Sequence, residues 1–95
     1  MERIGISFCS SLTPDEVRER FVKPLRDAVE RDGAGIYSNY LRQADPEAIE
    51  PTEHLLVFQV NDFKAGLRCL RLEAEKIGMP EESAFHNLNP SQPGY

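Results

Sequence analysis

HLLVFQVNDFKAGLRCLRLEAEKIG, residues 54–78, decides how the rest of this chain is read. Its first third, Leu55 to Val60, is an almost continuous apolar run rich in β-branched and aromatic residues, which predicts a strand covered on both faces. Asn61 and Asp62 follow at once, and the Asp62 carboxylate is placed to accept from the first free N–H groups of a helix. Phe63, Leu67, Leu70, Ala74 and Ile77 then recur at helical spacing, one buried stripe. Gly78 supplies the left-handed residue that ends a helix, Met79 can fold back on Ala74, and Pro80 forbids continuation. The stretch therefore reads as a buried strand feeding directly into an amphipathic helix.

The upstream residues repeat the unit. Ile4, Ile6 and Phe8 alternate with Gly5, Ser7 and Cys9, the period of a strand with one core face. Thr13, Pro14 and Glu16 form a capping box with proline at the first helical position, and Leu12 and Val17 are spaced as a hydrophobic staple. The stripe Val17, Phe21, Leu25, Ala28 carries this first helix to Asp32-Gly33. Pro24 lies inside it, removing one backbone donor and crowding the carbonyl of Arg20, so a kink or restart is expected there. Residues 34–44 have β-propensity without clean alternation, which suits a bulged edge strand. The acidic connector 45–53 has room for one helical turn, and residues 83–88 form a last short strand. Residues 1–89 are expected to be one domain and 90–95 a flexible tail.

The order β-α-β-β-α-β predicts an α+β fold, the ferredoxin-like plait: a four-stranded antiparallel sheet of order 4-1-3-2 with two helices on one face. The first and third strands, the two most apolar, are expected at the centre and parallel to each other. Their inward residues are Ile4, Ile6, Phe8, Leu56, Phe58 and Val60.

Composition narrows function by exclusion. Eleven Lys and Arg against sixteen Asp and Glu give a net charge of −5 over 95 residues, which repels phosphate backbones and anionic membranes. The string Gly35-Ile36-Tyr37 resembles the opening of GIY-YIG nucleases, but Tyr40-Leu41-Arg42 stands where their second aromatic-Ile-Gly element belongs. RNA-recognition modules share the plait and stack bases on aromatics of the central strands. The equivalent positions here are Gly5, Ser7, Leu55 and Val57, none of them a ring. His54 and His86 have no helical metal-ligand spacing, and Cys9 and Cys69 form no CxxC, so neither metal nor cofactor is expected. A chain this small with two cysteines reads as cytoplasmic, with both thiols reduced and partly buried. No run is long enough to span a bilayer.

What remains is surface. Two helices cover one face of a four-stranded sheet, leaving Leu55, Val57 and Ser7 on the other, with Tyr37 and Tyr40 as candidate neighbours. An apolar strip there needs a cover. The expected function is a non-catalytic protein-interaction or regulatory module, acting through this face on a protein partner or as a homodimer. The alternative is a ligand-binding or enzymatic dimeric α+β barrel. Its pocket would be lined by Phe8, Phe21, Phe58 and Tyr37, with His54 or His86 as acid–base group. Lys64, Arg68 and Arg71 form a possible basic patch on the second helix, with Glu75 spaced to pair with Arg71.

Overall fold

The computed structural model of the chain describes residues 2–43, 52–80 and 82–88. Strands β1 (Glu2–Ser10), β2 (Gly35–Gln43), β3 (Thr52–Val60) and β4 (Ala84–Asn87) form one sheet of order β2-β3-β1-β4, the expected order counted from the other edge. The fold is an α+β plait. The helical turn expected in the connector and the expected tail lie outside the described residues.

One expectation of topology is corrected. β1 and β3 are central neighbours, but they run antiparallel, with Ile4 opposite Phe58 and Ile6 opposite Leu56. The reason is connectivity. A helical return brings β2 back in the direction of β1, and the β2–β3 connection then reverses the chain, so β3 must oppose β1.

The first helical segment starts where its capping box places it. Thr13 Oγ1 accepts from the Glu16 N–H at 3.2 Å, and Glu16 Oε1 accepts from the Thr13 N–H at 3.0 Å. It comprises α1 (Pro14–Val17), a π-helical turn (Arg18–Val22) and α2 (Lys23–Arg31). The N–H of Lys23 donates to the carbonyl of Arg18, one residue further back than in an α-helix. The π turn thus admits Pro24, which has no N–H and whose ring crowds the carbonyl of Arg20.

The helix α3 (Phe63–Ile77) is capped by Asp62, whose side chain accepts from Ala65 N–H at 2.9 Å. Glu2 reaches across from β1 and accepts from Phe63 N–H at 2.6 Å, tying the sheet to the start of α3. At its other end Gly78 adopts φ 72°, and Met79 N–H donates to Ala74 at 3.1 Å.

Both helical segments pack on the same face of the sheet. The core joins Ile4, Ile6 and Phe8 of β1 and Leu56, Phe58 and Val60 of β3 to Val17, Phe21, Leu25 and Val29, with Leu70 and Ala74 from α3. All six inward strand residues foreseen from alternation are buried.

Candidate functional site

The open face of the sheet is assembled by register. Gly5 lies opposite Val57 and Ser7 opposite Leu55, so these side chains share the face away from the helices. β2 contributes through a bulge. Tyr37 pairs with Phe58 and Asn39 with Val57, leaving Ser38 as the extra residue. The bulge reverses the alternation, so Asn39 and Leu41 point outward beside Val57 and Leu55, and Ile36 outward beside Gln59.

Tyr37 and Tyr40, candidates for this open face, are on the helix side because of that extra residue. Tyr37 meets Phe58 edge-on, with ring centroids 5.7 Å apart. Tyr40 stacks on His54 and carries the Arg18 guanidinium 5.5 Å from its ring centroid. Burial pushes both phenols above their ordinary pKa, keeping them donors at neutral pH.

In their place the outer face presents Ile36 and Leu41, 47% and 49% exposed. Leu55 is half-buried, and Val57, at 8% exposure, is already mostly covered by its neighbours. Leu88, just past β4, completes the strip: a β-carbon at Gly5 would sit 2.6 Å from its Cδ1 and 3.0 Å from that of Leu55. The missing side chain of Gly5 is what lets Leu55 and Leu88 meet over β1. Between them, Leu41 and Arg3 lies a shallow depression of about 350 Å³.

The two histidines lie on opposite faces. His54, near the start of β3, is completely buried. Its Nε2 is 3.1 Å from the Ser10 carbonyl, which only accepts, so the proton is on Nε2. Nδ1 then accepts from the Tyr40 hydroxyl at 2.6 Å, and Phe8 stacks on the ring at a centroid distance of 5.0 Å. His86 is exposed on the open face, with Nε2 2.7 Å from Ser7 Oγ. Among the described residues no third group is hydrogen-bonded to its Nδ1. No cluster of three potential metal ligands occurs among the described residues.

Both cysteines are free. Cys9 is exposed rather than partly buried, because it falls on the uncovered face near the end of β1. Cys69 is half-buried and donates to Asp32 Oδ2 at 3.4 Å. Burial, and then the Asp32 carboxylate, push its pKa up to about 11. An alkylating reagent at about pH 8 is therefore expected to modify Cys9 at least about tenfold faster than Cys69, since the thiolate is the nucleophile. Mass spectrometry of a partly labelled sample measures the ratio, and equal labelling would contradict this placement of Cys69.

On α3, Lys64, Arg68 and Arg71 are exposed as expected. The pairing of Arg71 with Glu75 does not form. Arg71 lies instead over the Phe85 ring of β4, its guanidinium carbon 5.4 Å from the centroid. Leu72, 56% exposed, stands beside Arg68.

No helix among the described residues is long and apolar enough to cross a membrane. No protein-family model, curated protein or solved structure matches this chain.

Proposed function

We propose that this chain is a protein-interaction module that works through the open face of its sheet, with a second copy of itself as the partner and without catalysis. One observation carries the reading: Leu41 stands about half exposed beside Leu55 and Leu88, with Ile36, also about half exposed, further along the same face opposite Gln59, and no helix among the described residues covers that face. Apolar side chains grouped in this way gain by leaving water together. Gly5 and Ser7 keep β1 low, so an approaching surface can reach the leucines. A twofold arrangement is the simplest closed assembly, because it sets the strip against itself. The setting that goes with this proposal is the cytoplasm, where the two free thiols stay reduced.

The competing pocket reading has less support. Phe8, Phe21 and Phe58 are buried in the core cluster, and both ring nitrogens of His54 are already engaged.

Sedimentation equilibrium tests the proposal. The wild-type chain should show a concentration-dependent dimer at micromolar loading. Burying a leucine side chain contributes about 1.5–3 kcal/mol, so Leu41→Lys should weaken the dimer about tenfold or more. Leu41 is the better probe than Val57, where a lysine would also disturb the monomer. A wild-type chain that stays monomeric to about millimolar concentration, or a dimer indifferent to Leu41→Lys, would sink the proposal.

A further inference from the structure

A second surface lies on the opposite side of the molecule, and a dimer closed through the sheet leaves it facing outward. The described ion pairs engage Arg18, Arg26 and Arg31; Lys64, Arg68 and Arg71 make none, and neither do Arg20, Lys23, Arg42 and Lys76. These three cations sit within about two turns of one helix, spanning about 10 Å at 1.5 Å per residue. Three unpaired cations side by side are unexpected in a chain of net charge −5 with sixteen acidic residues. An extended surface of like charge repels itself and is relieved by an opposite charge.

The surroundings are not those of a simply solvated face. Lys64, Arg68 and Arg71 border a cleft of about 370 Å³ that includes Leu67 and Leu72. Arg71 also borders a second cleft, of about 470 Å³, walled by Met79 and Phe85. The two depressions therefore meet at Arg71, whose guanidinium is held over the Phe85 ring. Stacking of this kind restrains the arginine fork before any partner arrives. Glu75, at the rim of the second cleft, sets the acidic limit of the patch.

We infer that the outer face of α3 is a docking surface for an acidic protein segment carrying an apolar side chain. Its carboxylates face Lys64, Arg68 and Arg71, and its apolar residue enters the cleft beside Met79 and Phe85. Charge complementarity selects this occupant over an apolar one, and the apolar clefts on both sides of Arg71 select a peptide over a bare anion.

The test is fluorescence anisotropy with a labelled peptide of about twelve residues that alternates glutamate and leucine, titrated with the full chain at about 20 mM and about 200 mM salt. Binding is expected at low salt and should weaken about tenfold or more at the higher salt. Arg68→Glu should reduce it about tenfold or more, and Arg26→Glu, a charge reversal on α2, should leave it within about twofold. A matched probe with glutamine for glutamate should not bind. Thermal melts of both variants check that the fold is retained. No binding of the acidic probe at low salt, or equal effects of Arg68→Glu and Arg26→Glu, would overturn the inference. So would equal binding of a single-stranded oligonucleotide or of anionic phospholipid vesicles, which would make the patch a general anion attractor. The sheet dimer is read separately by sedimentation, so the two surfaces stand or fall independently.

Discussion

Replacing His54 with alanine is expected to remove about 3 kcal/mol of folding stability, much of what a domain of this size has. The imidazole is fully buried, sandwiched between Phe8 and Tyr40, and both its nitrogens are used. Deleting it opens a cavity beside Phe8 and leaves the Tyr40 hydroxyl and the Ser10 carbonyl without their partner. Tyr40 and Ser10 are only half-buried, so water recovers part of that loss and the cavity dominates. His54→Phe separates the two contributions: it fills the space but cannot bond, and should cost about 1–2 kcal/mol. In a cycle with Tyr40→Phe, the double variant should lose about 1 kcal/mol less than the sum of the singles, because both remove one hydrogen bond. Urea unfolding monitored by circular dichroism measures all of these. A His54→Phe variant more stable than wild type would show that the imidazole is kept for something other than the fold.

The same residue shows where sequence reading stops. Alternation places His54 in line with Leu56, Phe58 and Val60, hence inward, but a polar residue at the start of a strand reads as an edge feature. Phe8 covers it from β1 and Tyr40 from β2, and Tyr40 reaches it only because Ser38 is bulged out of β2. The three-residue spacing of Tyr37 and Tyr40 was the available signal: two aromatics on one face of a strand, an odd number apart, require an inserted residue between them. That signal would also have put Ile36 and Leu41 on the outer face. Pro24 was legible as a disturbance, whereas the form of its accommodation, a π turn placed before the proline, depends on how the helix settles on the sheet. Likewise the tie from Glu2 to Phe63 and the cover Leu88 gives Gly5 join residues far apart in sequence, and no local pattern announces them. Periodicity specified the core; the surface required the register.

The two proposed surfaces follow from a division of labour within the chain. The sheet's open face carries an apolar strip of Leu41, Leu55 and Leu88 among polar residues, with Gly5 and Ser7 small in β1, suited to a flat partner approaching broadly. The α3 face is charged with open, shallow depressions beside Arg71, suited to a segment lying along the helix. The three cations of the second surface are carried by α3, so where that surface stands relative to the sheet depends on how α3 sits on β3.

That seating depends on Gly66, and its replacement carries the other large expected effect. Gly66 is buried in the first turns of α3, where glycine costs about 1 kcal/mol relative to alanine. A β-carbon added there would stand 2.5 Å from Val60 Cγ1 and 2.7 Å from Val60 Cβ. Val60 Cβ is fixed to the backbone of β3 and cannot rotate away, so α3 must lift from the sheet. Gly66→Ala thus sets a helix-propensity gain of about 1 kcal/mol against an overpacking cost of about 2–3 kcal/mol, for a net loss of about 1–2 kcal/mol. Gly66→Val adds two methyl groups at the same contact and regains little propensity, so it should lose more than about 3 kcal/mol. Pairing Gly66→Ala with Val60→Ala removes the Cγ contacts at 2.5 and 3.0 Å but leaves the Cβ contact at 2.7 Å, so the double variant should be more stable than the sum of the two single losses by about 1 kcal/mol and still less stable than wild type; a double variant no more stable than expected from two independent losses would show that the Cγ atoms of Val60 do not limit how closely α3 sits on β3.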